Sequence, residues 1–168
     1  MHVLSVLTLL EELELAVGRL YRHYSETLQG DPAASAFFFR LSMEERSHAS
    51  IIRFKRKLAW QNPDQFMAAS LDIHQIEEAT RRADALAASS ETPTLAEALA
   101  VAAEFESGAA KSHCRISIGT KDPSFGELVS HLGSAYKTHE ELVREFAFTR
   151  GIPIYTWSGL QEPEAVSA

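Results

Sequence analysis

The sequence predicts an all-α protein: four long helices arranged as two antiparallel hairpins, with a long crossover between them. Three observations predict it. Four segments carry apolar residues at three- and four-residue spacing, the signature of a helix with one buried face. Glycine and proline are few and stand between these segments as punctuation. The breaks within each pair are short, while more than thirty residues, 59–92, separate the second segment from the third.

The first helix is expected from about Leu4 to Leu28, with Leu10, Glu14, Val17, Tyr21, Tyr24 and Leu28 on its inward stripe. Gly30-Asp31-Pro32 ends it and starts the next. The Asp31 carboxylate suits the free amides of a first turn, and proline fits a position that needs no amide donor. The second helix then runs from about Pro32 to Leu58, with Phe38, Leu41, Glu45, His48 and Ile52 inward. A shorter helical pattern, Ile73 to Ala88, lies in the crossover. Thr92-Pro93 reads as the start of the third helix, expected to reach Ile118 with Leu99, Ala102, Glu106, Ala109, His113 and Ile116 inward. Asp122-Pro123 caps the fourth, which carries Leu128, Leu132, Tyr136, His139 and Val143 and stops before Gly151-Ile152-Pro153. Residues 1–150 form the bundle, and 151–168 an irregular tail with Tyr155 and Trp157 as packing anchors. Short turns make neighbours antiparallel, and the crossover is long enough to join helices that point the same way.

The chain's 168 residues suffice for one sizeable core. A net charge of -7 argues against nucleic acid and anionic membranes as partners. No apolar run approaches the roughly 20 residues of a membrane span, and Met1 to Leu10 reads as the start of a helix, not a signal peptide. The single cysteine, Cys114, permits no internal disulfide and suits a reducing, cytoplasmic setting; beside His113 it reads as a small buried hydrophobe.

The two halves superpose in sequence with a shift of 91 or 92 residues. Glu12-Leu13-Glu14 falls on Glu104-Phe105-Glu106, Asp31-Pro32 on Asp122-Pro123, and His48 on His139, with 17 residues from cap to histidine in both halves. A pseudo-twofold bundle of this kind lets each half supply an equivalent set of ligands to a central site.

Three carboxylates, Glu14, Glu45 and Glu106, and two imidazoles, His48 and His139, thus fall on inward stripes at similar depth. Glu45 and His48 stand three apart, so both leave one face of the helix one turn from each other. Either histidine alone would read as an ordinary half-buried side chain; depth shared with the glutamates makes them candidate ligands. A buried carboxylate without a partner costs several kcal/mol or takes up a proton instead, and a cluster of them is tolerable if a cation balances the charge. Glu104 remains an alternative to Glu106, although the match to Glu14 favours Glu106. Glu11, Glu12, Glu44, Glu140 and Glu141 read as solvated helix faces, and His23, His74 and His131 as surface residues. Tyr21 and Tyr24 read as core packing.

Over about residues 5 to 148 this pattern resembles the rubrerythrin branch of the ferritin-like superfamily. The residues that carry the resemblance are Glu14 with Tyr21, Glu45-Arg46-Ser47-His48, Glu106 with His113, and the segment ending in His139. The resemblance implies a ferritin-like four-helix bundle with a metal site of Glu14, Glu45, His48, Glu106 and His139. It implies iron, as a di-iron pair, with manganese and zinc also suited to the donors. There are two departures. The family places a glutamate three residues before the second histidine, where this chain has Tyr136. No Cys-x-x-Cys pair supplies a rubredoxin-type iron site, so an external electron donor is implied. The function implied is an oxidoreductase acting on peroxide or dioxygen, or a protein of iron handling; a non-catalytic metal-binding module or a scaffold with a degenerate site is the alternative. Phe37, Phe38 and Phe39 cannot all face one core, so at least one is expected to pack on the crossover, the tail or another subunit; with the resemblance to ferritin-like hairpins, which pair through an exposed face, this gives a homodimer as the expected assembly.

Overall fold

A computed structural model describes residues 3–61, 66–70, 73–106, 117–120 and 138–154. The chain is predominantly helical. The helices are α1 (Val3–Thr27), α2 (Pro32–Gln61), α3 (Ile73–Ala87), α4 (Leu95–Glu106) and α5 (138–149). Two short strands, β1 (Phe66–Ser70) and β2 (Ser117–Thr120), pair antiparallel, with Phe66 opposite Thr120 and Ser70 opposite Ser117. No helix among the described residues is long and apolar enough to cross a membrane.

α1 and α2 form an antiparallel hairpin. Ser25 meets Ser35 at the turn, Glu14 meets His48 midway, and Glu11 and Thr8 meet Arg53 and Arg56 at the far end. The turn is capped as the sequence predicts: Asp31 Oδ1 accepts the Ala34 amide at 3.1 Å. Midway along the hairpin stands Gly18. A Cβ there would lie 3.4 Å from Glu45 Cβ and 3.5 Å from the Ser42 carbonyl oxygen. A methyl there would just touch α2, so the position has room for nothing larger without moving the helices apart at the level of Glu45.

α3 lies between α2 and α4 in the chain, where the sequence placed a shorter helix, and packs on α1, where Arg19 donates to Asp84 at 2.7 Å. It also reaches α4 through a two-pronged Arg82–Glu104 pair. α5 runs antiparallel to α2. His139 meets Glu44 and Glu45, Phe146 stacks on Phe37 with ring centroids 4.2 Å apart, and Arg150 pairs with Asp31 at the hairpin turn. α5 ends in a Schellman motif: Gly151, with φ +66, turns the chain so that the Ile152 amide reaches the Ala147 carbonyl at 2.9 Å.

The inward stripes of α1 and α2 are buried as expected, with Leu28 only half-buried at the rim. Of the phenylalanine triplet, Phe37 and Phe38 pack inward, with Phe38 edge-on to Tyr24 at 5.3 Å. Phe39 is left 41% exposed.

Two expectations need correcting. The third helix does not continue to Ile118: Ser117–Thr120 is a strand paired with β1. Ser117-Ile118-Gly119-Thr120 has two β-branched residues and a glycine, all poorer helix formers than the alanines of α4. The cap of α4 is Thr94, not Thr92-Pro93. Thr94 Oγ1 accepts the Glu97 amide at 3.3 Å, and Glu97 accepts the Thr94 amide at 2.7 Å, a reciprocal capping box. Leu128, Leu132 and Tyr136, the expected inner residues before His139, lie outside the described residues, as do Ala109, His113 and Ile116, and the tail anchors Tyr155 and Trp157.

Candidate metal centre

Five side chains from four helices converge in the core. α1 brings Glu14, α2 brings Glu45 and His48 one turn apart, α4 brings Glu106 and α5 brings His139. Glu14 and Glu45 are fully buried, Glu106 and His139 nearly so, and His48 is only 6% exposed. All five sequence candidates therefore share one buried neighbourhood.

Glu45 is the centre of the arrangement. Its Oε1 lies 3.1 Å from His139 Nδ1, and its Oε2 lies 3.3 Å from His48 Nδ1. Each imidazole also faces a second carboxylate: His48 Nδ1 is 3.5 Å from Glu14 Oε2, and His139 Nδ1 is 3.5 Å from Glu106 Oε2. The two rings stack at 5.2 Å between centroids, inclined by 29°. The repeat seen in the sequence thus becomes spatial, each half supplying one glutamate and one histidine about the shared Glu45.

Protons hold this cluster together electrostatically. Burial by itself lowers the pKa of His48, but hydrogen bonds and charge from Glu14 and Glu45 outweigh it and raise the value to about 9. Burial likewise opposes the charge on His139, and Glu106 and Glu45 overcome it, to about 10. Both imidazoles are therefore held protonated at neutral pH, each beside two carboxylates. Tyr21 is the opposite case. Burial, then the charges of Glu106 and Glu45, push its phenol well above the ordinary value. It stays neutral and donates to Glu106 Oε1 at 2.6 Å, leaving Glu106 Oε2 toward His139.

The Glu104 alternative is resolved by burial. Glu104 is exposed and engaged by Arg82, whereas Glu106 faces the cluster. Three side chains differ from the sequence reading. Glu44, expected to be solvated, accepts from His139 Nε2 at 2.6 Å and also faces Arg40 at 3.6 Å. The signal available for it was its place next to Glu45, about 100° around the helix and so on the flank of the inward stripe. Glu11 is buried and paired with Arg53 and Arg56 at 2.6 and 3.0 Å. His23 is half-buried, not a surface residue. His74, Glu12 and Glu141 are exposed as expected, and Glu140 pairs with Arg144 at 2.7 Å. Cys114, His131 and Tyr136 lie outside the described residues.

Compared with protein-family models, with curated proteins and with solved structures, the chain matches none. What its own geometry provides is a buried Glu45–His48–His139 group whose ligand atoms all lie within 4.8 Å of one another, able to hold a metal ion. Buried oxygen and imidazole donors suit a divalent transition metal. The same carboxylates that raise the two histidine pKa values are placed to face a metal ion once the Nδ1 protons leave.

Proposed function

We propose that this chain is a ferritin-like, rubrerythrin-related four-helix bundle, with α1, α2, α4 and α5 as its helices, that binds iron through Glu14, Glu45, His48, Glu106 and His139. The observation that carries the reading is the placement of one carboxylate, Glu45, between two imidazole Nδ1 atoms at 3.1 and 3.3 Å. On this reading Glu14, Glu45 and His48 form one half-site, and Glu45, Glu106 and His139 the other.

Iron held there supplies one-electron redox chemistry toward peroxide or dioxygen, with electrons from an external donor. The protein's contribution is positional. Gly18 seats α1 against Glu45, Tyr21 fixes the orientation of Glu106, and the packed stripe of Leu10, Val17, Leu41 and Ile52 excludes bulk water. Manganese and zinc satisfy the same donors. The competing function is metal binding without turnover, and a specific feature favours keeping it in view: among the described residues three carboxylates, Glu14, Glu45 and Glu106, face the inner nitrogens of the two histidines, and the sequence has Tyr136 at the family's fourth position.

The test is elemental analysis of protein as isolated and after anaerobic loading with ferrous iron, followed by peroxide consumption with a chemical reductant. Bound iron with turnover supports the oxidoreductase; bound iron without turnover supports the storage or sensing module. A chain that takes up no divalent ion, and gains no thermal stability from any, refutes both. We further propose self-association as a homodimer through the outer face of α2, where Phe39, Met43, Phe54 and Trp60 are exposed. Sedimentation showing only monomer across micromolar concentrations would remove that part.

A further inference from the structure

Glu44 is left over by the site just described. It stands beside Glu45 on α2, and its carboxylate meets the cluster from outside, through the far nitrogen of His139. It lies behind His139, accepting from Nε2 at 2.6 Å, while Nδ1 of the same ring faces Glu45 and Glu106 at 3.1 and 3.5 Å. The side chain of His139 is 3% exposed and that of Glu44 38% exposed, so the bond runs from the buried ring outward to a carboxylate at the protein surface. The outer side of that carboxylate faces Arg40, one turn earlier on α2, at 3.6 Å.

A neutral imidazole carries one N–H and one lone pair, and the bond made by one nitrogen decides what the other can do. With Nε2–H donated to Glu44, the lone pair sits on Nδ1, directed at the cluster. A metal-ligating histidine backed by a carboxylate in this way is fixed in ring orientation and tautomer, and its basicity is raised. We infer that Glu44 is a positioning residue, which holds His139 in the tautomer and orientation that present Nδ1 to a metal, with Arg40 steadying the carboxylate from outside. The inference rests on the metal-binding reading above and adds to it a residue outside the ligand set. It also states which half-site responds: Glu44 contacts His139, so its loss falls on the half-site of Glu45, Glu106 and His139.

The experiment is zinc and cobalt(II) titration of the full chain as wild type, Glu44→Ala, Glu44→Gln and Arg40→Ala, with ring N–H signals of the zinc-loaded protein recorded by nitrogen-15 NMR. Glutamine keeps a carbonyl acceptor and removes the charge, so it separates hydrogen bonding from electrostatics. Glu44→Ala is expected to weaken the affinity of one half-site by about 10- to 100-fold, and to abolish the slowly exchanging His139 Nε2–H signal. Glu44→Gln should keep that signal and recover most of the affinity. Arg40→Ala should lose only a few-fold. Wild type binding metal while Glu44→Ala binds equally well overturns the inference and leaves the metal reading standing. So does zinc-loaded wild type with the proton on Nδ1, or equal losses in the alanine and glutamine variants. Wild type that binds neither metal refutes the metal reading and the inference together.

Discussion

Metal uptake by this core should be a proton-exchange reaction, and its pH dependence can be worked from the site. Neighbouring carboxylates raise the pKa of His48 to about 9 and that of His139 to about 10, against the opposing effect of burial. At pH 7 each is therefore an imidazolium in all but about one molecule in a hundred or fewer. A metal ion needs the Nδ1 lone pair of each ring, so each ligation expels one proton. At about 1.4 kcal/mol per pH unit, deprotonation at pH 7 opposes binding by a few kcal/mol at each histidine. Raising the pH relieves that opposition, so the apparent affinity of each half-site should tighten about tenfold per pH unit between pH 6.5 and 8.5. Calorimetric titration with zinc in buffers of different ionisation enthalpy measures the released protons directly. About one proton per chain is expected at the first equivalent, and nearly two at saturation. Tight binding with no proton release, or an affinity flat across this pH range, would show that the histidines are not displaced from their protonated state and are not ligands.

The same protons make the metal-free protein pH-sensitive. Both folded pKa values lie above the unfolded value near 6.5, so the stabilisation is complete below pH 6.5 and is lost as pH rises through about 9 and 10. Thermal melts should show a falling Tm over that window, and metal-loaded protein should not follow it. Tyr21→Phe removes the 2.6 Å donor to Glu106 and should cost about 1–3 kcal/mol of stability by denaturant titration. Gly18→Ala should be near neutral, because a gain of about 1 kcal/mol in helix propensity offsets the 3.4 Å contact with Glu45 Cβ. Gly18→Leu should push the helices apart, cost about 1–3 kcal/mol and lower metal occupancy. Tyr136→Glu, which supplies a carboxylate three residues before His139 as Glu45 stands three before His48, should tighten the second metal equivalent without changing the first.

Much of this arrangement was legible in the sequence because the relevant signals are periodic. A glutamate placed four residues after Leu10 and three before Val17 can only face where they face, and Glu14 is fully buried among them. The Asp31 cap and the Ile73–Ala87 helix were readable for the same reason: both depend on neighbours along the chain. The misreadings depend on tertiary partners. Glu11 is charged on a helix edge and looks solvated until Arg53 and Arg56, some forty residues later, fold over it. Glu44 looks solvated until α5 places His139 against it. Ser117–Thr120 appeared to continue a helix because apolar spacing in so short a run fits both periods. Its pairing with Phe66–Ser70, some fifty residues earlier, carries no local signature.

The closeness of the two histidines bears on how many metal ions the described core suits. Glu14, Glu45 and Glu106 face the Nδ1 atoms of His48 and His139, and Glu44 accepts from the outer nitrogen of His139. The rings lie 5.2 Å apart and their carboxylate neighbours hold both protonated, so two like charges repel. A first divalent ion that displaces a proton relieves that repulsion. A second ion enters beside the first without such relief, and so binds more weakly. A further carboxylate between the two positions offsets the repulsion between two ions. The identity of a single side chain three residues before His139 thus bears on whether such a bundle favours a metal pair or a lone ion.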